Sequence, residues 1–223
     1  NTSSGGVRGN VEFRPANDED AANTSSGGVR GNVEFRPAND AETESSTSGG
    51  VRGDDIDEVV PLLPENGHGR TISARPQFLV YVPTDFSGEA FFSLRDVDGN
   101  HHYQTTLQVS GGLAIVALPA DAPELEMDKD YQWFFAPVAS GGILQPDNYG
   151  VTGWVKRVAA PEGSDRASSV IDLATLYADR GIWYDTIAML VEARAQNPED
   201  AELAGEWHDL LEQVGLSAIA DRS

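Results

Sequence analysis

Cysteine is absent from this 223-residue chain, and its absence excludes three kinds of chemistry at once. Without a thiol there is no disulfide scaffold, no thiolate metal site and no cysteine nucleophile. Long apolar runs are also missing, since no stretch approaches the roughly 18 to 20 apolar residues of a membrane helix. We therefore expect no membrane insertion. The chain begins at Asn1 without a charged and apolar leader, and we expect a mature exported protein, secreted or held at the cell surface.

Basic residues are scarce. The chain has 15 Lys and Arg against 36 Asp and Glu, which gives a formal net charge of −21. A protein of this charge repels phosphate backbones and anionic lipid surfaces. Nucleic acids and lipid membranes are therefore not expected as partners.

Apolar residues are distributed unevenly along the chain. Residues 1–53 consist almost entirely of Gly, Ser, Asn, Asp, Glu and Arg, with few apolar side chains, whereas the remainder has the apolar content of a globular domain. The sequence predicts three parts: an extended tail over residues 1–53, a β-sandwich domain over 54–160, and a helical segment over 161–223 packed on the sandwich or on a neighbour.

The tail is an internal repeat. Residues 23–40 repeat the letters of residues 1–18 without a change, and Ser-Gly-Gly-Val-Arg-Gly returns at 48–53, so that the period is 22 residues. Each copy has too few apolar side chains to stack into a solenoid and cannot fold by itself. On composition alone, the tail is a flexible acidic spacer.

A second interpretation of the tail follows from a period of two residues within each copy. Apolar side chains alternate with polar ones and end at a proline, which cannot donate to a β-ladder, as is typical of a half-buried strand without a sheet. The apolar residues of the two predicted strands are Val7, Val11 and Phe13 in the first copy and Val29, Val33 and Phe35 in the second.

These strands are candidate subunit-binding residues. We expect each strand to add to an open sheet edge or groove of another copy of the chain, where backbone hydrogen bonds give affinity and the apolar side chains fix the register. One extended repeat reaches roughly 70 Å, which exceeds the diameter of about 40 Å expected for the globular part. The tail is therefore predicted to dock on two successive neighbours in a helical filament.

Short segments rich in β-branched and aromatic residues, bounded by Gly, Pro, Asp or Asn, indicate strands after the tail. Their spacing, without helices between them, favours a mainly β fold with an immunoglobulin-like antiparallel β-sandwich. The predicted strands are 76–83, 89–96, 102–109, 112–119, 131–138 and 150–158.

The apolar period changes after Pro161 to that of helices. A first helix is predicted from a cap at Ser164 or Asp165 to near Gly181, a second from Trp183 to just before Pro198, and a third from about Glu199 to Gly215. Their spacing resembles a single tetratricopeptide unit. One such unit is too short for a peptide-binding solenoid, so the helices are expected to cap the sandwich or to pack on a neighbour.

Several strings together resemble one known family. These strings are FLVYVP, LRDVDGNHHYQTTLQVSGGLAIVALP, LEMDKDYQWFFAPV, GWVKRV and LYADRGIWYDTIAMLVEAR with LLEQVGLSAIA. Together they are similar to the cyanobacterial domain of unknown function 928 family, over residues of about 60–221. The resemblance implies exported proteins of cyanobacteria with a β domain and C-terminal helices. It implies no activity and no catalytic residue, so function has to be argued from the tail.

One short motif raises the question of a metal site. Asp96, Asp98, Gly99 and Asn100 begin like a calcium loop, but the distal glutamate of such loops is missing. An Asp-Gly pair between two predicted strands is also a hairpin-turn signal. We interpret the motif as a turn and keep Asp96, Asp98 and Asn100 as a weak calcium candidate.

Motifs of hydrolases, nucleotide-binding proteins and zinc proteases are absent from the sequence, and no cofactor is predicted. A hydrolase with a convergent acid and base is therefore the least supported function class. The prediction is an exported structural subunit that is not an enzyme and that polymerises into an extracellular filament by inserting its tail strands into neighbours. The alternative is a monomeric cell-surface or periplasmic module that binds glycans or peptides and has a flexible acidic tail.

Overall fold

A computed structural model describes residues 33–37, 58–138, 150–220 and 222. Within these residues, six strands come first and four α-helices follow. The strands are β1 (Val60–Pro61), β2 (His68–Thr71), β3 (Gln77–Asp96), β4 (His101–Ala117), β5 (Asp130–Val138) and β6 (Val151–Arg157). The helices are α1 (Val170–Ala178), α2 (Trp183–Gln196), α3 (Ala201–Gln213) and α4 (Ser217–Ala220).

The longest elements, β3 and β4, form one antiparallel hairpin with a register shift between Val82 and Ser87. The predicted strands 76–83 and 89–96 are therefore one continuous strand, β3, and the predicted strands 102–109 and 112–119 are one continuous strand, β4. Gly111 lies in the predicted break at 110–111 and Gly112 begins the next predicted strand, and the structure shows why glycine is needed at both positions. A Cβ on Gly111 would collide with the backbone of Thr84, and Gly112 has a φ of +104°.

The six strands make one curled sheet in the order β1, β3, β5, β6, β2, with β4 paired to the other side of β3. The first half of β3 pairs with β1 through Tyr81, and its second half pairs with β5. All described pairs are antiparallel except that of β2 with β6, which is parallel and was not expected.

Two of the C-terminal helices, α1 and α3, begin at side-chain caps. Ser169 Oγ accepts a hydrogen bond from the amide of Asp172 at 3.0 Å, and Asp200 Oδ1 accepts from Glu202 at 2.9 Å. The predicted cap at Ser164 or Asp165 is wrong, because these residues belong to a short 3₁₀ turn. The chain becomes extended at Ala167, with ψ 130°, and α1 starts only at Val170.

Aromatic side chains join the helices to the sheet. The Nε1 of Trp133 on β5 donates to the hydroxyl of Tyr184 on α2 at 2.7 Å, and that hydroxyl donates to the carbonyl of Trp154 on β6 at 2.9 Å. The Nε1 of Trp183 donates to the carbonyl of Leu62 at 2.8 Å. Buried residues of the sheet and of the helices belong to one hydrophobic core, so α2 is fixed on the sheet face.

The structure confirms a mainly β chain with C-terminal helices. The immunoglobulin-like sandwich and the likeness to a tetratricopeptide unit stay predictions. None of the helices within the described residues has the length and apolar character needed to span a membrane.

Candidate functional site

The second tail copy contributes five described residues, Val33–Pro37, which lie on the helices of the same chain. The burial of the segment alternates: Val33 is 1% exposed and Phe35 is 7% exposed, whereas Glu34 between them is exposed. This is the alternation that the period of two residues predicts. A polar tail segment without a core of its own is thus held by apolar contacts to the folded part.

A groove between α1 and α3, with α2 as its floor, receives this segment. Both α1 and α3 pack on α2. Because the connections at 179–182 and 197–200 are short, consecutive helices run antiparallel, so that α1 and α3 run in the same direction. We call this the tail groove; its walls at the occupied end are the C-terminal half of α3 and the end of α1.

One edge of the tail backbone bonds to side chains of α3. The amide of Val33 donates to Glu206 Oε2 at 2.7 Å. The side-chain amide of Gln213 donates to the carbonyl of Val33 at 2.8 Å and accepts from the amide of Phe35 at 2.7 Å. In an extended chain these three backbone groups point to the same side, so Gln213 takes the place of a peptide group in a neighbouring strand.

The apolar side chains of the segment supply the rest of the contact. The ring of Phe35 meets that of Trp183 edge to face, with centroids 4.6 Å apart. Trp183 is fully buried and is fixed by its bond to Leu62. The aromatic pair therefore anchors the tail to the buried core.

Charged groups lie around the occupied end of the groove. The amide of Arg36 donates to the carbonyl of Ala178 at 3.4 Å, which brings the tail next to Asp179. Burial raises the pKa of Asp179, and the positive charges of Arg180 and Arg36 act in the opposite direction. Oδ1 of Asp179 is buried and has no hydrogen-bond partner among the described residues.

Glu206 is a carboxylate with only 4% of its surface exposed. A buried carboxylate is stable only where donors surround it, and the Val33 amide is one of its donors. Removal of the tail would withdraw that donor and open Trp183 to water. The groove is therefore built to be occupied by an extended chain.

The acceptor expected from the sequence was an open sheet edge or groove of another copy of the chain. For Val33–Pro37 the acceptor is helical, because Glu206 and Gln213 present the bonding groups that a strand would otherwise supply. Both residues were missed. The available signal was the position of Glu206 on the apolar stripe of α3, between Leu203 and Leu210, where an apolar residue is expected.

The other candidate subunit-binding residues, Val7, Val11, Phe13 and Val29, lie outside the described residues. The first copy carries the same letters, Val-Glu-Phe-Arg-Pro, at 11–15 that the docked segment carries at 33–37. Every contact that the groove makes with Val33–Pro37 is therefore chemically available to residues 11–15.

The weak calcium candidate forms the turn between β3 and β4. Asp96 Oδ1 accepts from the amides of Asp98 at 3.1 Å and Asn100 at 2.8 Å. Its Oδ2 lies 3.1 Å from the ammonium of Lys129. The side-chain hydrogen bond from Asn100, together with Lys129, lowers the pKa of Asp96 to about 2. A lysine thus provides the positive charge beside this carboxylate.

A cluster on α3 also has ligand-type atoms. His208, Asp209 and Glu212 have ligand atoms that lie within 4.8 Å of one another. Glu212 is exposed and the other two are half-buried. This cluster was not predicted from the sequence, since neighbouring polar residues on a helix surface are common.

Comparisons with known proteins give a family and no activity. A family model described as Domain of Unknown Function (DUF928) matches residues 36–223. No curated protein is significantly similar to the chain. The family match covers most of the chain and begins inside the docked segment, so the folded part and its groove belong to the matched region.

Proposed function

The chain belongs to the DUF928 family, whose description names no activity, and we propose that it is a structural subunit that polymerises by exchange of tail segments. In this proposal the segment 33–37 or 11–15 of one subunit occupies the tail groove of a neighbour. The product is an extracellular filament made of copies of this chain, without catalytic activity. Export to the extracellular space is part of the proposal.

The observation that carries the proposal is the seating of Val33–Pro37 in a groove that a second, identical segment of the same chain also fits. Each chain has two such segments and, within the described residues, one tail groove that holds one of them. At least one segment per chain is thus left to bind elsewhere. A groove on a second copy offers it the same contacts.

The connecting chain is long enough for exchange. Residues 37 and 58 are 21 positions apart, and an extended chain of that length spans up to about 70 Å. A folded part of this size has a diameter of about 40 Å. The same segment can therefore reach its own groove or that of a neighbour, and the contacts in the groove are equal in both cases.

Closure on the chain's own groove competes with exchange. A groove and a segment on the same chain meet at an effective concentration in the millimolar range, so that dilute chains are expected to close on themselves. Concentrated chains exchange, and each exchange leaves a further segment free to continue the polymer. Assembly is accordingly expected to rise steeply with protein concentration.

Negative-stain microscopy of two variants tests this proposal. One variant has Val11, Phe13, Val33 and Phe35 replaced by Ser, and the matched control has Glu12→Gln and Glu34→Gln, since Glu34 is exposed. We expect filaments from the unchanged chain and from the control. The serine variant should stay monomeric with an unchanged far-UV circular dichroism spectrum. Filaments of normal length from that variant, or a monomeric unchanged chain at all concentrations, would contradict the proposal.

A further inference from the structure

The tail groove does not end where the docked segment begins. Past Val33, between the start of α1, the second half of α2 and the start of α3, it widens into a pocket of about 510 Å³. We call it the distal pocket. Apolar side chains on all three helices line it, namely Val170, Ile171, Met189 and Leu203. Val170 is 43% exposed there, which is high for an apolar residue at such a junction.

The line of the docked segment, continued toward the N-terminus, leads to the distal pocket. Val33 bonds to Glu206 and Phe35 bonds to Gln213, so the tail runs from the middle of α3 toward its end. A segment that kept this direction before Val33 would run toward the start of α3. Leu203, which lines the distal pocket, is one turn before Glu206 on that path.

Lengths along the groove identify which residue reaches the distal pocket. Phe35 lies against Trp183, and Ala193 in the pocket wall is ten residues further along α2, or about 15 Å. An extended chain advances about 3.3 Å per residue, so four to six residues before Phe35 cover roughly 13 to 20 Å. Gly31 and Val29 are the residues at these distances.

The alternation of side chains selects Val29. Val33 and Phe35 face the groove while Glu34 is exposed, and residues of the same parity, 31 and 29, face the same way in an extended chain. Gly31 has no side chain to insert, whereas Val29 has an apolar one. Acidic Glu192, Asp200 and Glu202 also line the pocket.

We propose that the distal pocket binds the valine four residues before the docked Val-Glu-Phe, which is Val29 in one copy and Val7 in the other. The recognised element is then nine residues, Val-Arg-Gly-Asn-Val-Glu-Phe-Arg-Pro, and not five. This inference deepens the proposed function and rests on the groove which that function uses. It applies equally to a tail from the same chain and to a tail from a neighbour.

The sequence contains a natural control for the valine. Val51 stands in the third Gly-Gly-Val-Arg-Gly, but Asp54 and Asp55 follow it in place of Asn-Val-Glu-Phe. This third copy has the proposed anchor without the segment that occupies the groove. A substitution at Val51 therefore changes the same type of residue in the same local sequence. We expect it to leave the docking of residues 33–37 unchanged.

Hydrogen exchange by mass spectrometry on the full chain tests the inference. The measured quantity is the protection of amides in peptides that contain residues 33–37, where Val33 and Phe35 donate hydrogen bonds. Val7→Ser and Val29→Ser are combined, because an intact first copy would replace an altered second one. We expect protection to fall about tenfold, as for the loss of one buried valine side chain, and to be unchanged in Val51→Ser.

A pocket variant completes the test. Met189→Ser should lower protection of residues 33–37 by itself, and adding Val7→Ser with Val29→Ser should then lower it by much less than tenfold. Equal protection in the Val7→Ser, Val29→Ser chain and the Val51→Ser chain would overturn the inference. The proposed function would survive that result if the chain with four serine substitutions still failed to assemble, so the two failures are distinguishable.

Discussion

The phenyl ring of Phe35 meets the indole ring of Trp183 edge to face, with centroids 4.6 Å apart and planes at 71°. The same indole donates its N–H to the carbonyl of Leu62 beside β1. A residue of the repeat tail is thereby connected to the sheet through a single buried side chain. The docked tail behaves as part of the core, although its sequence is that of a polar linker.

The repeat makes a specific prediction for substitutions of this phenylalanine. Phe35→Ser alone should lower the free energy of unfolding only slightly, because residues 11–15 carry the same letters and replace the altered segment. Phe13→Ser with Phe35→Ser should lower it by about 3 kcal/mol, the lower end of the range for truncation of a buried aromatic ring. Urea unfolding of the single and double variants measures both values. If the two single effects simply add, the copies do not substitute for each other.

The bonds of Gln213 to the tail backbone predict that substitutions of Gln213 weaken docking of the tail, whereas a substitution of its neighbour does not. Gln213→Ala removes one donor and one acceptor and should weaken docking by about 1 to 2 kcal/mol. Gln213→Glu keeps an acceptor for Phe35 but has no donor for the carbonyl of Val33, so it should weaken docking at least as much. Glu212→Gln, at an exposed neighbouring position, is the control. Exchange protection of residues 33–37 reports the result, and normal protection in Gln213→Glu would refute the assigned geometry.

Asp185 on α2 predicts a dependence of stability on pH. Its Oδ2 accepts from the amide of Ile72 at 3.0 Å, and burial raises its pKa in spite of this bond and one with Thr71. The folded state therefore favours the protonated acid. The contribution of protonated Asp185 to the stability of the folded state is fully present below the pKa of the unfolded chain, near 3.8. This contribution is lost as the pH rises through the pKa of Asp185 in the folded state.

Asp185→Asn keeps an oxygen acceptor for Ile72 and removes the titration. The stability of the variant relative to the unchanged chain should therefore rise between pH 4 and pH 7. Urea midpoints of both chains at the two pH values measure this difference. A constant difference would show that Asp185 does not contribute to the pH dependence.

Particular residues show how much of the fold could be predicted from the sequence. The strand β5 and the helix α2 were predicted within about two residues at each end, because their apolar periods are strong and Pro198 follows α2 closely. The long hairpin was divided at Gly111 and Gly112, since glycines in a strand pattern resemble a turn. Here they permit the two backbones to approach at a bulge, which depends on the partner strand and not on local sequence.

Of the two parts of the candidate site, only the tail segment could be predicted from the sequence, and the groove could not. The alternation of Val33, Glu34 and Phe35 is a local property and appears in the sequence. The groove is formed by helices whose walls are far from the tail along the chain, with Glu206 and Gln213 more than 170 positions away. The gap between α1 and α3 arises from how both helices pack on α2, and no periodicity within a single helix reports such a gap.

Complementation between two defective chains tests the central claim most directly. One chain carries Glu206→Ala and Gln213→Ala in the groove and keeps both tail segments. The other keeps the groove and carries Ser in place of Val11, Phe13, Val33 and Phe35. Each chain alone should be monomeric in analytical ultracentrifugation. The mixture should form complexes of one tail donor with one or two groove donors, and should form no longer polymer, because the groove donors have no functional tail. A mixture that stays monomeric at concentrations where the unchanged chain assembles would contradict exchange of tail segments between subunits.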